Sequence, residues 1–182
     1  MAINHSMKKI LKALSFDGIE VEAARHLASL KAIDPMKIFH KTIDYKIYNG
    51  DYEVPVRIYL PREKVTEDLP VFLFFHGGGW VTDCIDNYER ICARLASATE
   101  HIVVSVEYRL APEHPFPTGF MDCYAVAKAI YTNRFILNVN PQRITLIGDS
   151  AGGNLAAAVS LKARDDGIFN PQRQILIYPA VN

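Results

Sequence analysis

Ser150 lies at the centre of the run Gly148-Asp149-Ser150-Ala151-Gly152-Gly153-Asn154. Small residues on both sides of a serine permit a turn sharp enough to lift its hydroxyl clear of the backbone, where it can attack an acyl carbon. The spacing by itself is a weak signal, and its setting strengthens it. Ile144-Thr145-Leu146-Ile147 reads as a strand directly before the turn, and Asn154 to Arg164 reads as a helix directly after it. A helix N-terminus under the serine favours negative charge developing there. The competing reading is a close-packed strand-to-helix turn with an ordinary serine. Asp149 adjoins Ser150, but neighbouring side chains on a tight turn diverge, so Asp149 reads as structural.

A second glycine-rich run, His76-Gly77-Gly78-Gly79-Trp80, follows the apolar stretch Val71-Phe72-Leu73-Phe74-Phe75. Glycines let backbone N–H groups approach a tetrahedral oxyanion with no side chain in the way. The alternatives are a plain turn after a buried strand, or a phosphate cradle. A cradle would require Gly-Lys-Ser/Thr, which the run lacks. Beside a serine turn of this kind, the oxyanion reading is favoured. The general base is the part not found. Serine hydrolases with this turn order their triad as Ser, Asp/Glu, His, yet the 32 residues after Ser150 contain no histidine. Glu113 and His114, in the Pro-rich stretch Tyr108 to Pro117, offer a base and its orienter, although an ordered loop scaffold is the favoured reading. His101 falls at a strand start, on the opposite edge from the site. His5, His26 and His40 fall in an N-terminal helical region, with surface or packing roles.

The elements that must position these residues follow from periodicity. Met7, Ile10, Leu11 and Leu14 make one helical stripe, and Val21 to Leu30 make a second helix ended by Asp34-Pro35. Ile43, Tyr45 and Ile47 alternate, as do Val54, Val56, Ile58 and Leu60, with Asn49-Gly50 between them as a hairpin signal. From residue 70 onward the strands are continuous apolar runs, as in a sheet covered on both faces. They are Val71 to Phe75, Ile102 to Val106, Ile144 to Ile147 and Ile175 to Tyr178. Helical stretches separate them, at about Asp86 to Thr99, Asp122 to Asn133 and Ala151 to Arg164. The fold class is therefore α/β, a mostly parallel sheet with helices on both faces and an antiparallel hairpin at one edge.

Composition sets the outer bounds. The chain has 182 residues, is 49% hydrophobic and 22% charged, and balances 20 basic against 20 acidic residues. That is ordinary for a soluble globular protein, and a net charge of zero argues against nucleic acid or an anionic membrane as partner. No apolar run reaches the length of a membrane span, and Met7, Lys8, Lys9 and Ile10 are unlike a signal peptide. Cys84, Cys92 and Cys123 show no metal-ligand spacing and, being odd in number, no disulfide framework. A cytoplasmic location with no metal and no cofactor is expected.

His76-Gly77-Gly78-Gly79-Trp80, the Tyr108 to Pro117 stretch and the Gly148 to Asn154 turn, in that order, together resemble the hormone-sensitive-lipase-like branch of the α/β-hydrolase family. That branch holds carboxylesterases and lipases, including bacterial acetyl esterases. The resemblance runs from about residue 40 onward. It implies that residues 1–40 are part of a helical cap and that residues 41–182 are the N-terminal portion of a hydrolase domain. By the same resemblance Ser150 is the nucleophile, and the amides of Gly77, Gly78 and Ala151 are the oxyanion donors. His76 supports its loop instead of acting as base, and Gly79, Gly148, Asp149 and Gly152 complete the two motifs. Asp83 departs from the glycine usual in that loop and alters the pocket rim.

The implied activity is hydrolysis of small uncharged esters with short to medium acyl chains, through an acyl-enzyme. The family sheet has eight strands, and Ile175 to Tyr178 corresponds to the sixth, which would leave that strand as an uncovered edge. A truncated product, one half of a split esterase, or an oligomer or second chain that covers the edge is expected. Without a histidine the chain alone is expected to be nearly inactive. The alternative is a non-catalytic ligand-binding or interaction protein on a hydrolase shell, as in the plant hormone receptors of this family.

Overall fold

A computed structural model describes residues 21–22, 24–25, 42–62, 69–132, 135–137 and 139–181. The helix expected at Met7 to Leu14 and most of the one at Val21 to Leu30 lie outside these residues. Val21, Glu22, Ala24 and Arg25 are helical. Elsewhere the described residues form one six-stranded sheet in the order β1-β2-β4-β3-β5-β6.

The strands are β1 (Thr42–Asn49), β2 (Tyr52–Tyr59), β3 (Val71–Phe75), β4 (Ile102–Val106), β5 (Ile144–Asp149) and β6 (Arg173–Ile177). β1 and β2 form the expected antiparallel hairpin, closed where Asn49 pairs with Tyr52. Its two-residue turn is Gly50 and Asp51, and Gly50 takes the left-handed conformation such turns require (φ 62°). β2 joins β4 antiparallel, and β3, β4, β5 and β6 are mutually parallel neighbours. Every residue of β3 and β4 is buried, as their unbroken apolar runs require.

Side-chain alternation divides the core between the two faces. On one face Phe72, Phe74, Val103 and Ile147 meet Cys92, Ala93 and Ala96 of helix α1 (Glu89–Thr99). On the other, Val71, Leu73, Phe75, Val104 and Leu146 meet α2 (Thr118–Tyr131) and α3 (Ala151–Asp166) through Val126, Ile130, Leu155 and Val159. The expected helix from Asp86 begins instead as a 3₁₀ turn, Ile85–Tyr88, and becomes α-helical at Glu89. α2 starts four residues before the expected Asp122, because Pro117 accepts the Met121 amide at 2.9 Å and opens the first turn. Its expected end at Asn133 lies outside the described residues. α3 stops at Gly167, whose left-handed conformation (φ 65°) returns its amide to the Ala163 carbonyl at 3.0 Å.

The crossovers fix where a site can form. β3 leads through α1 on one face to β4, while β5 leads through α3 on the other face to β6. The loops leaving the adjacent strands β3 and β5 therefore diverge, and a crevice opens at their C-terminal ends, the usual ligand position in such sheets. Phe75 pairs with Gly148. His76 and Asp149 thus leave the sheet at the same level, and the two glycine-rich runs face each other.

β6 begins at Arg173 and ends at Ile177, two residues earlier at its start than expected and one at its end. The Ser150 amide donates to the Ile177 carbonyl at 2.9 Å as the last rung of the β5–β6 ladder, and Tyr178 then turns left-handed (φ 35°) and leaves the strand. The chain then passes over the serine turn.

Candidate active site

Ser150 occupies φ 51°, ψ −116°, a region that L-residues avoid. Strain of this kind costs about 1–3 kcal/mol and persists only where the surroundings enforce it. Here they do. The Ser150 amide donates to Ile177 at 2.9 Å, and its carbonyl accepts from Asn154 and Ala180, each at 3.1 Å. Asn154 Nδ2 also donates to the Ala180 carbonyl at 2.8 Å, locking the segment after β6 onto the first turn of α3. The turn needs its glycines because the neighbouring backbone passes so close. A Cβ on Gly152 would overlap the Phe75 carbonyl, and one on Gly148 would overlap the Gly152 carbonyl.

The loop from His76 to Gly79 is oriented by its carbonyls. Tyr108 Oη donates to the His76 carbonyl at 2.8 Å. The Gly77 carbonyl accepts from His76 Nδ1 at 2.8 Å, which assigns the proton to that nitrogen. The Gly78 carbonyl accepts from the Val81 and Thr82 amides at 3.1 and 2.9 Å. In a trans peptide the N–H points opposite to the preceding C=O. The Gly78 and Gly79 amides are therefore turned away from these partners. Neither has an acceptor among the described residues, and neither has the Ala151 amide at the start of α3. Gly78 holds φ 98°, where a side chain would also strike the Thr82 carbonyl.

Gly77 departs from the sequence expectation. Its amide donates to Tyr88 Oη at 3.2 Å and is not free to meet an oxyanion. The free glycine amides of this loop are those of Gly78 and Gly79, one residue further along.

The remaining candidates sort by position. His76 is fully buried and stacks on Tyr108 (4.3 Å between ring centres, 15° apart). Burial holds its imidazole down to about 4, so it is neutral and supports the loop. Asp149 points away from Ser150 and accepts from Tyr88 Oη at 2.9 Å. Burial raises its carboxyl above the ordinary range, and the bond from Tyr88 opposes that rise. Glu113 is clamped by Arg25, whose Nη1 and Nη2 each donate to a carboxylate oxygen at 2.9 Å. These bonds lower its carboxyl to about 2. Glu113 is thus the counter-ion of Arg25, not the orienter of His114. Arg25 also donates to the carbonyls of Val81 and Ala111, which ties the N-terminal helical residues to the loops after β3 and β4. His101 stacks on Phe72 at the N-terminal end of β4, the far end of the sheet from Ser150. His5, His26 and His40 lie outside the described residues. No described side chain hydrogen-bonds the Ser150 hydroxyl.

Asp83 holds a left-handed conformation (φ 69°) behind Gly78, with its carboxylate accepting from Asn87 Nδ2 at 2.9 Å. A cleft of about 550 Å³ runs from Gly79 and Trp80 past Phe116 and Phe120 to Asn154 and Leu155. Its walls are mainly apolar. Tyr88 and the Arg109–Asp122 pair were not singled out from the sequence, because nothing in their spacing links them to the motifs they support.

A strained serine on a strand-to-helix turn, level with a glycine loop presenting free amides, defines the α/β-hydrolase arrangement. The family described as the alpha/beta hydrolase fold matches residues 72–182, and the chain belongs to it. Carboxylesterase NlhH of Mycobacterium tuberculosis is 40% identical over 167 residues, covering 90% of this chain and 51% of that protein. An arylesterase of Saccharolobus solfataricus is 39% identical over 151 residues, covering 83% of this chain and 48% of that protein. Among solved structures, the thermostable carboxylesterase EstE1 from a metagenomic library superposes with a TM-score of 0.75 at 41% identity, covering 90% of this chain and 54% of that one. The hyperthermophilic esterase of Pyrobaculum calidifontis gives 0.77 at 37% identity, covering 100% and 59%. The chain spans about half the length of the curated relatives it matches. Among the described residues, no helix is long and apolar enough to cross a membrane.

Proposed function

We propose that Ser150 is the nucleophile of a carboxylic ester hydrolase that works through an acyl-enzyme. The observation that carries this reading is the enforced, strained backbone at Ser150 beside three amides without acceptors among the described residues. Ser150 Oγ attacks the ester carbonyl carbon as a histidine takes the hydroxyl proton. The carbonyl oxygen becomes an oxyanion, and the amides of Gly78, Gly79 and Ala151 stabilise it. Collapse of that intermediate expels the alcohol, which leaves with the proton from the histidine. Water then attacks the acyl-serine and releases the acid. The apolar walls of the cleft suit a small uncharged ester with a short to medium acyl chain.

The histidine and its carboxylate partner come, in this reading, from polypeptide that adds to the sheet beside β6. The two edges of the sheet differ in a way that supports this. β1 alternates inward Ile43, Tyr45 and Ile47 with outward Asp44 and Lys46, which are paired to Arg57 and Glu53. That is how a solvent edge is made. β6 carries Ile175, Leu176 and Ile177 in succession, with Ile175 42% and Ile177 37% exposed. Such a run matches the interior strands of this sheet. A second chain, an oligomer or further polypeptide of the same protein would bury it, and the chain without one would be nearly inactive.

The test is hydrolysis of p-nitrophenyl butyrate by the purified chain and by the native assembly, each against Ser150→Ala. Turnover in the assembly that disappears in the variant supports the reading. Equal rates with and without Ser150 in both samples would exclude a serine esterase. Serine-dependent turnover by the chain alone would remove the need for an added base.

A further inference from the structure

We propose that Tyr88 and Asp149 are positioning residues, which fix the oxyanion loop against the serine turn through the amide of Gly77. This rests on the esterase reading above and concerns how its anion site is held. The Tyr88 hydroxyl does two things at once. It accepts the Gly77 N–H at 3.2 Å and donates to Asp149 Oδ2 at 2.9 Å. The carboxylate draws the phenolic proton toward itself, which makes the phenolic oxygen a better acceptor for Gly77. One side chain thus bridges the glycine loop after β3 and the residue immediately before Ser150.

Gly77 is shaped for this bridge. A Cβ there would stand 2.5 Å from Asp149 Oδ2 and 3.1 Å from Tyr88 Oη. Only glycine lets the carboxylate and the phenol reach the loop backbone. Tyr88 is itself held by packing, with its ring 5.5 Å from Phe74 and 5.7 Å from His76. Asp149 keeps its other oxygen, Oδ1, buried without a partner among the described residues. A buried orphan acceptor costs stability, and here it accompanies a carboxylate whose second oxygen links the two catalytic loops.

The geometry gives the bridge a consequence for the amides that matter. The peptide joining His76 to Gly77 is pinned on both sides, by Tyr108 at its carbonyl and by Tyr88 at its N–H. Its orientation sets that of the next peptide, whose N–H belongs to Gly78. Loss of the Tyr88 hydroxyl leaves that peptide held at one end only. The Gly78 amide, whose peptide His76 Nδ1 still holds at the Gly77 carbonyl, then shifts slightly relative to Ser150 while the substrate cleft, which Tyr88 does not line, is unchanged. The expected signature is a loss in kcat with KM preserved.

The experiment has two independent readouts on Tyr88→Phe, Asp149→Ala and Asp149→Asn. The first is amide hydrogen exchange, followed by NMR in the full chain labelled with ¹⁵N-glycine. Gly77 exchange should rise about 3- to 10-fold in Tyr88→Phe, the worth of one hydrogen bond, with the other glycine amides unchanged. The second is serine-dependent p-nitrophenyl butyrate hydrolysis in the form of the protein that turns over. kcat should fall about 10-fold in Tyr88→Phe and Asp149→Ala, with KM constant, and recover largely in Asp149→Asn, which keeps an acceptor for the phenol. Unchanged Gly77 exchange in Tyr88→Phe overturns the bridge. Faster exchange with normal kcat leaves a purely structural contact and overturns the positioning role. If the wild type shows no serine-dependent turnover either as the purified chain or in its native assembly, the esterase reading fails, and Gly77 exchange still decides whether the bridge exists.

Discussion

Replacing Ser150 by glycine should make the protein more stable while removing its nucleophile. Ser150 sits at φ 51°, ψ −116°, where its Cβ crowds the backbone, at a cost of about 1–3 kcal/mol. Glycine adopts that conformation freely but loses more chain entropy on folding, about 0.5–1 kcal/mol. The Ser150 hydroxyl has no partner among the described residues, so little else is lost. The net gain is about 0.5–2 kcal/mol, which for a chain of this size raises Tm by roughly 1–8 °C. Ser150→Ala is the control, since it removes the hydroxyl and keeps the Cβ. Thermal and urea melts of wild type, Ser150→Ala and Ser150→Gly separate the two contributions. Stability in the order Gly above Ala, with Ala near wild type, is expected. A glycine variant no more stable than the alanine variant would refute the strain, and with it the claim that the turn is forced to present the serine.

Asp122 is fully buried and binds Arg109 through two side-chain bonds (2.8 and 2.7 Å), the Arg109 amide (3.1 Å) and Asn49 Nδ2 (2.6 Å). Asp122→Ala should cost about 3 kcal/mol, the low end for a broken buried pair because Arg109 keeps some water, and a urea melt within about 1 kcal/mol of wild type would contradict this. Burial holds the His76 imidazole down to about 4 in the folded protein, against about 6.5 for a free histidine. The unfolded state therefore binds more protons between these values, and stability falls as pH drops through that window, by roughly 3 kcal/mol in total. His76→Gln should flatten that slope in melts taken from pH 7 to 4, and an unchanged slope would assign the acid sensitivity elsewhere. Co-expression with the part of EstE1 that this chain does not match should yield a complex with turnover that Ser150→Ala abolishes. Absence of a complex by size exclusion would count against β6 as a docking edge.

The elements of this fold were legible because each is specified by its own residues. Val71 to Phe75 and Ile102 to Val106 are unbroken apolar runs and form strands with those bounds, and Gly50 closes the hairpin where the turn residues stand. Ser150 and its glycines were legible for the same reason, since a sharp turn is a local requirement. The orientation of peptide planes was not. Which glycine amides remain free depends on Tyr108, 32 residues beyond His76 and on another strand's exit, and on Tyr88, 11 residues beyond Gly77 at the end of a 3₁₀ turn. The family resemblance therefore pointed to Gly77 and Gly78, where the structure leaves the amides of Gly78 and Gly79 without acceptors among the described residues. The end of β6 also moved, because Tyr178 is apolar enough to extend the strand, and its left-handed backbone ends it just past the rung from Ser150 to Ile177. Gly77 and Tyr178, which residue type misplaced, both lie beside the serine turn, as expected where the fold bends its own preferences to hold a strained group.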